Sequence, residues 1–377
     1  MIAADLPSPD TRRLHAARQA AARGMPVVGL VGAVAPVELV SAAGCFPVHL
    51  MAHADDFSSD PAPMEAGHEP EIRSLFTQAV RGDFDTAGAI VVPSTSDGYR
   101  YLYPYLKEMR RRGLCPHLPS ILPFDFLFGA SAAVRQHSMD SMRELGSRLA
   151  GLSGRAASDD RLHQAIECGN ALRQQLRHLH QLRLAAKVTG TLAHAATRST
   201  AFWDEAASAQ VLADALQAWV SQAPLTGRPR WLLVSAVPLY HECLHALLEA
   251  AGGLVVADDD EWGARRAAPD VDSTLPPLTA LFEHLARHAV SPRMLQDERE
   301  AWLRTQLRGG EVDGVVFYMP PSDQHFGWRY PDLAALAATC GKPSVLIRHE
   351  ALDAQAAAAI HQQAAAFAET CKSRQNR

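Results

Sequence analysis

Short runs of consecutive apolar residues recur along the chain, and stretches with helical spacing separate them. The runs in the N-terminal half are Val27–Val31, Gly88–Val92 and Leu118–Leu122. The runs in the C-terminal half are Trp231–Ser235, Leu254–Ala257, Val315–Tyr318 and Ser344–Ile347. Apolar runs without polar alternation are typical of strands that are buried on both faces, and their alternation with helices indicates parallel sheets. The pattern therefore predicts an α/β fold with two doubly wound domains, each built on a parallel sheet.

Helical spacing places most of the remaining chain in helices: Pro36–Ala43, Tyr99–Arg112, Arg161–Arg183, Asp204–Trp219, Tyr240–Ala251, Ala301–Arg308 and Asp332–Thr339. Gly252–Gly253 and Gly341 follow two of them, at positions where glycine commonly ends a helix. The Pro- and Gly-containing stretch Pro224–Arg230 is the best linker. We therefore predict an N-terminal helical extension (1–24), a first α/β domain (25–150), a helical connector (151–228) and a second α/β domain (229–377), with a ligand cleft between the two α/β domains.

Composition narrows the class of protein. Of 377 residues, 47% are hydrophobic and 20% are charged, and the formal net charge is -5. Both signs of charge are interspersed and no polybasic stretch occurs, which argues against a nucleic-acid partner. No apolar run is long enough to span a membrane, and the N-terminus lacks the apolar segment of a signal peptide. The six cysteines form no CxxC pair, so they are expected to be reduced thiols in a cytoplasmic protein.

Ligands of open α/β sheets bind beyond the carboxyl ends of the strands, so the loops after the apolar runs hold the candidate site. Asp97, Tyr99 and Arg100 follow one such run, and His325 follows another. We take these four residues as candidate substrate contacts. The alternative for Asp97, Tyr99 and Arg100 is ordinary packing on the helix surface, which is common for polar residues beside a loop. The acidic triplet Asp258–Asp260 follows a further run, and we expect it to be solvated at the strand end.

A second motif points to metal chemistry. His241, Glu242 and His245 fit the HExxH pattern, which on a helix directs two imidazoles to one zinc ion and supplies a glutamate base. The pattern is short and recurs by chance. It nevertheless supports an alternative function as a metal-dependent hydrolase, with zinc or another divalent metal.

Six segments, in order along the chain, resemble the 2-hydroxyacyl-CoA dehydratase and benzoyl-CoA reductase family, which includes the 2-hydroxyglutaryl-CoA dehydratase D-component. They are Val28–Leu50 (VGLVGAVAPVELVSAAGCFPVHL), Glu69–Leu75 (EPEIRSL), Ser96–Tyr101 (SDGYRY), Ile166–Arg177 (IECGNALRQQLR), Gly252–Arg265 (GGLVVADDDEWGAR) and Asp313–Asp323 (DGVVFYMPPSD). Each segment alone is weak evidence, whereas the ordered set is strong.

The resemblance implies three cysteines that hold a [4Fe–4S] cluster, but Glu69, Ser96 and Ser322 stand at those positions here. Carboxylate and hydroxyl groups are hard oxygen donors, while iron–sulfur clusters take thiolates. We therefore expect no cluster on this chain. Either the serines cap local structure and Glu69 is solvated or paired with Arg73, or the three oxygens line the former cluster pocket and hold a harder ion or a polar group of the substrate.

The resemblance also implies a function. The chain is expected to be a subunit of an acyl-CoA dehydratase (a lyase) or an acyl-CoA reductase that acts on or binds an acyl-CoA, or a related small molecule, in the cleft. Its expected partner is a related subunit that bears a [4Fe–4S] cluster, or a second copy of itself, together with an ATP-dependent iron–sulfur activator. A non-catalytic ligand-binding or partner subunit is the other alternative.

Overall fold

The computed structural model describes residues 9–53, 68–202, 205–235, 239, 242–291, 293–294, 296–321, 323, 326–349 and 354–375. The chain divides into two compact units. Unit 1 comprises Met1–Arg173, Ser199–Gln210 and Pro269–Leu295, and unit 2 comprises Gln174–Arg198, Val211–Ala268 and Gln296–Arg377. Each unit contains one four-stranded parallel sheet, so the predicted α/β architecture is confirmed. The finer division into an extension, two α/β domains and a connector stays a prediction.

The strands and helices alternate along the chain. In the first half they are α1 (Pro9–Ala22), β1 (Val27–Val31), α2 (Val37–Ala42), β2 (Phe46–Leu50), α3 (Pro70–Arg81), β3 (Ala89–Pro93), α4 (Asp97–Arg111), β4 (Ser120–Phe124), α5 (Ala132–Ser153), α6 (Asp159–Leu184) and α7 (Gly190–Ser199). In the second half they are α8 (Glu205–Val220), β5 (Arg230–Ser235), α9 (Cys243–Ala250), β6 (Leu254–Asp258), α10 (Pro277–His288), α11 (Gln296–Arg308), β7 (Gly314–Tyr318), α12 (Tyr330–Thr339), β8 (Ser344–Ile347) and α13 (Ala354–Gln375).

The sheet of unit 1 has the strand order β2-β1-β3-β4 and is covered on both faces. Alternate residues of β3 face opposite sides: Ala89 and Val91 join one hydrophobic cluster, and Ile90 joins the other. Residues of α2 and α5 complete the first cluster, whereas α3 and α4 complete the second. A continuous apolar run is what such a doubly covered strand requires.

The sheet of unit 2 follows the same plan, with the order β6-β5-β7-β8. Leu232 and Val234 pack with apolar residues of α11 and α12, while Trp231 and Leu233 pack with residues of α9 and α13. Among the helices that the structure describes, none has the length and apolar character needed to cross a membrane.

The predicted Gly-Gly helix stop after α9 is confirmed and has two separate causes. Gly252 has a φ of 102°, a left-handed conformation that favours glycine. Gly253 lies against the indole ring of Trp231, and a Cβ at this position would collide with the ring. The pair therefore ends α9 and also lets β6 begin directly beside the buried tryptophan.

Candidate functional site

The loop after β3 leads directly into α4, and Ser96 is the N-cap residue immediately before this helix. Ser96 is extended (φ -140°, ψ 162°), and its Oγ accepts a hydrogen bond of 3.1 Å from the backbone N–H of Tyr99. This is the usual geometry of a serine N-cap. The prediction that Ser96 caps local structure is confirmed, and one lone pair of its hydroxyl is occupied by this bond.

Glu69 lies at the same place, although it is distant in sequence. It precedes α3, and its carboxylate contacts Gly98 in the first turn of α4 so closely that a Cβ on Gly98 would collide with Glu69 Oε2. The amino end of a helix carries a partial positive charge that stabilises carboxylates. The structure thus brings Glu69 and Ser96 together at the start of α4, whereas Ser322 lies outside the described residues.

Two of the candidate substrate contacts are engaged by the protein itself. The Asp97 carboxylate forms an ion pair with Arg293. Tyr99 is buried and its hydroxyl donates a hydrogen bond of 2.7 Å to Glu71 Oε1. The ring of Tyr99 also packs on Gly32, where a Cβ would lie 2.8 Å from it. Of the two other candidates, Arg100 is exposed and His325 lies outside the described residues.

A polar group that the sequence did not single out lies at the carboxyl ends of β3 and β4. Pro93 pairs with Phe124 in the sheet, so Ser94 and Asp125, the next residues of each strand, are neighbours. Ser94 Oγ donates a hydrogen bond to Asp125 Oδ1, and His137 Nε2 on α5 lies 2.7 Å from Asp125 Oδ2. The register of adjacent parallel strands is the sequence signal that would have linked Ser94 to Asp125.

The electrostatics of this group favour a charged carboxylate. Burial alone would raise the pKa of Asp125, but the hydrogen bonds from Ser94 and His137 outweigh burial, and the positive charge of Arg100 adds to them. The net result is a pKa below the ordinary value. Asp125 therefore acts as a fixed anion that holds the imidazole of His137 at the carboxyl edge of the unit 1 sheet.

At the carboxyl edge of the unit 2 sheet, the acidic triplet is buried, so the expectation that it is solvated is wrong. Asp258, Asp259 and Asp260 are 0%, 1% and 4% exposed. Asp258 accepts hydrogen bonds of 3.2 and 2.9 Å from Arg183 and contacts His245 Nε2 at 2.9 Å. Burial would raise the pKa of Asp258, but Arg183 and His245 outweigh it and hold this pKa well below the usual range.

The other two aspartates of the triplet fix the backbone around them. Asp259 accepts from the N–H of Ser235 (2.8 Å) and pairs with Arg299. Asp260 accepts hydrogen bonds of 2.9 Å from the N–H groups of Leu239 and Trp262. Burial, aided by the charges of Asp258 and Asp259, raises the pKa of Asp260 well above its ordinary value. The triplet therefore anchors the loops at the ends of β5 and β6.

The HExxH motif lies partly within the described residues. Glu242 forms a 2.6 Å ion pair with Arg198. His245 is fully buried, and its ring stacks on His194 with a centroid separation of 4.4 Å. His241 lies outside the described part, so zinc binding by this motif stays a prediction. Within the described ranges, no three His, Cys, Asp or Glu side chains are grouped so that they could hold a metal ion.

Comparison with known proteins identifies the family. The family model of the 2-hydroxyglutaryl-CoA dehydratase, D-component, matches residues 33–371. The chain belongs to this family. It is similar to the (R)-phenyllactyl-CoA dehydratase beta subunit of Clostridium sporogenes (21% identity over 332 residues, 86% of each chain). It is also similar to the putative dehydratase subunit YjiM of Escherichia coli strain K12 (26% identity over 309 residues, 78% of each chain). The resemblance found in the sequence motifs is confirmed, and the chain is a subunit of the 2-hydroxyacyl-CoA dehydratase type.

The two described positions that correspond to cluster cysteines do not fit a [4Fe–4S] cluster. Glu69 and Ser96 offer hard oxygen donors, and both are already placed at the start of α4. Iron–sulfur clusters are held by soft thiolates. Cys45 and Cys115 precede β2 and β4, and therefore lie toward the amino ends of these strands, away from Ser96.

Proposed function

We propose that this chain is a 2-hydroxyacyl-CoA dehydratase-type subunit that binds an acyl-CoA thioester and holds no [4Fe–4S] cluster of its own. The observation that carries the proposal is the placement of Glu69 and Ser96 at one helix start, within a chain that belongs to the dehydratase family. The Glu69 carboxylate supplies negative charge at the start of α4, and the Ser96 hydroxyl caps the helix. These roles stabilise the fold, and neither residue supplies a thiolate for iron.

The proposed ligand class comes from the relatives. The Clostridium relative is named for phenyllactyl-CoA, an acyl-CoA thioester. For this chain we place the acyl-CoA at the carboxyl edge of the unit 1 sheet, where open α/β sheets usually bind ligands. Arg100 is an exposed cation next to that edge, and in this proposal it contacts the bound thioester.

The proposed partner is a related subunit that bears the cluster. The relatives are named as a beta subunit and as a dehydratase subunit, which supports work in an assembly. A chain without a cluster would leave the electron transfer to its partner, which an ATP-dependent iron–sulfur activator would supply with electrons. The alternative assembly is a homodimer of this chain. Size-exclusion chromatography after co-expression with a cysteine-bearing paralogue distinguishes the heterodimer from the homodimer.

Calorimetric titration with an acyl-CoA tests the binding proposal. We expect saturable binding by the purified chain, or by its complex with the partner, and weaker binding by Arg100→Ala. Loss of one exposed charge contact is worth up to about 1 kcal/mol, so the dissociation constant should rise by up to about fivefold.

Arg112→Ala is the matched control, because Arg112 is also exposed and lies at the opposite end of α4. Its affinity should equal that of the wild type. Absence of saturable acyl-CoA binding, both alone and with the partner, would contradict the proposed function.

A further inference from the structure

The group formed by Ser94, Asp125 and His137 is a second chemical feature of the unit 1 edge, and it includes none of the residues that stand at the cluster-cysteine positions. Its members come from the loop after β3, the loop after β4 and helix α5. The side chains of His137 and Asp125 are each 49% exposed, so a ligand can reach the imidazole. The group is therefore accessible, and it lies where parallel sheets bind ligands.

The contacts assign a role to each nitrogen of His137. A carboxylate only accepts hydrogen bonds, so Nε2, which lies 2.7 Å from Asp125 Oδ2, carries the proton and donates it. In the tautomer with its single proton on Nε2, Nδ1 presents a lone pair. The Ser94 hydroxyl fixes the opposite oxygen of the same carboxylate. Asp125 thus orients the ring in one tautomer, as carboxylates do for catalytic histidines.

This order of contacts excludes a hydrolase triad made of the same three residue types. In a triad the hydroxyl contacts the imidazole, which removes its proton. Here the hydroxyl contacts the carboxylate and the imidazole contacts the other carboxylate oxygen. Ser94 is therefore not activated as a nucleophile by His137. An oriented imidazole that exchanges protons with a ligand is the chemistry that the arrangement supports.

We propose that His137 is a general base and acid for the α-carbon of a bound acyl-CoA, with Asp125 as its positioning residue. The inference rests on the proposed function, because it requires the thioester to bind at this edge. In the forward step the α C–H bond breaks and the proton moves to Nδ1 of His137. The electron pair moves to the thioester oxygen, which gives an enolate. The reverse step returns a proton to the carbon, so no oxidant or reductant is consumed.

The charges around the dyad favour this step. The Arg100 guanidinium, in the first turn of α4, acts on Asp125 and lowers the pKa of this carboxyl, so a positive charge faces the carboxylate of the dyad. Because the chemistry involves only proton transfer, it needs no cluster on this chain. It gives the subunit a task of its own beside a redox partner.

Exchange of the α-protons of butyryl-CoA in deuterated water, followed by mass spectrometry, tests the inference. We expect the wild-type protein to catalyse exchange. His137→Ala should lower the rate at least about 100-fold, which is the usual contribution of a positioned general base. Added imidazole should restore part of the rate, because it can enter the half-exposed space left by the ring. A purely structural role would not respond to imidazole.

His163→Ala is the matched control. His163 also lies in unit 1, is 43% exposed and contacts a carboxylate, Glu167, at 3.6 Å, but it belongs to α6 and not to the loops after the strands. This variant should exchange protons at the wild-type rate. Asp125→Asn keeps an acceptor for Nε2 but loses the charge, so it should lower the maximal rate without raising the butyryl-CoA concentration that gives half of it.

Parallel calorimetry with butyryl-CoA separates failure of the inference from failure of the proposed function. Binding without exchange by the wild type overturns the role of His137 and leaves the proposed function standing. Proton exchange that persists at the wild-type rate in His137→Ala also overturns the role of His137 and leaves the proposed function standing. Absence of both binding and exchange overturns both proposals.

Discussion

At the scale of single residues, unit 2 contains a buried ion pair between Arg183 and Asp258. Both side chains are almost inaccessible, at 2% and 0% exposure. Each buried charge is costly alone, and the pair is tolerated because the guanidinium and His245 satisfy the carboxylate. These residues serve the fold of the sheet edge, and their charges are already neutralised within the protein.

Asp258→Asn should therefore be strongly destabilising. Removing one member of a buried pair leaves the guanidinium of Arg183 uncompensated, which typically costs about 3–5 kcal/mol. Urea denaturation should show this loss in the free energy of unfolding. Asp140→Asn is the control, because the Asp140–Arg143 pair lies on the exposed face of α5 and should contribute nothing measurable. Equal stability of Asp258→Asn and wild type would refute the pairing.

The Asp258 carboxylate should make the stability of unit 2 fall at acidic pH. The pKa of Asp258 is depressed in the folded state, so its stabilisation is fully present above the ordinary carboxyl pKa of about 3.9. It is lost as the pH falls through the folded-state value. The stability of the wild type should decline in this acidic range, and Asp258→Asn should show a shallower decline in acid titrations followed by circular dichroism.

The burial of the acidic triplet is a feature that could not be predicted from the local sequence. An acidic triplet after a strand is normally exposed, and nothing near Asp258–Asp260 in the sequence contradicts that. The arginines that neutralise two of its members come from 75 and 40 positions away. Only the tertiary fold brings these charges together, so local sequence pattern could not reveal the burial.

At the scale of secondary-structure elements, the contact between the starts of α3 and α4 places Glu69 beside Ser96 in the candidate site. Helix α4 begins at Asp97 because Ser96 caps it, and Gly98 leaves room for the Glu69 carboxylate that precedes α3. A larger residue at 98 would displace Glu69 and also Ile72, whose Cγ1 would lie 2.6 Å from the added Cβ. The absence of a side chain at 98 is what allows the two helix starts to meet.

A double-mutant cycle measures this contact. Gly98→Ala should cost about 1–3 kcal/mol through overpacking. In the background of Glu69→Ala the same change should cost at least about 0.5 kcal/mol less, because one of the two obstructing side chains is gone. Chemical denaturation gives all four stabilities.

Gly151→Ala on α5 controls for the intrinsic helix preference of alanine, because open space surrounds Gly151. It should be neutral or stabilising. If the costs of Gly98→Ala and Glu69→Ala were strictly additive, Glu69 would not lie against α4.

The elements themselves were largely predictable from sequence. The predicted strands at 27–31 and 344–347 match the structure at both ends, since their apolar runs are bounded by Pro, Gly or polar residues. Helices α3, α5 and α10 were not predicted, although Met142, Leu145 and Leu149 of α5 repeat at helical spacing and are buried. The Ser94–Asp125–His137 group was missed for a different reason, because it depends on strand register and on the placement of α5.

At the scale of the whole molecule, the fold agrees with the family resemblance. The three positions where the resemblance implies cluster cysteines are occupied instead by residues with oxygen donors. The family model covers residues 33–371, and the two parallel sheets follow the expected plan. The segments 199–210 and 269–295 belong to unit 1 although they lie within the second half of the chain. Hydrophobic periodicity is a local property, so it could not have shown that the chain returns to unit 1.

Iron and acid-labile sulfide analysis after anaerobic purification and reconstitution tests the central claim most directly. We predict that the wild-type chain takes up no [4Fe–4S] cluster, because Glu69 and Ser96 are oxygen donors held at the start of α4. The triple variant Glu69→Cys, Ser96→Cys, Ser322→Cys is the comparison and should gain iron and sulfide. A full cluster per wild-type chain, with the broad absorbance of an iron–sulfur protein, would contradict the account.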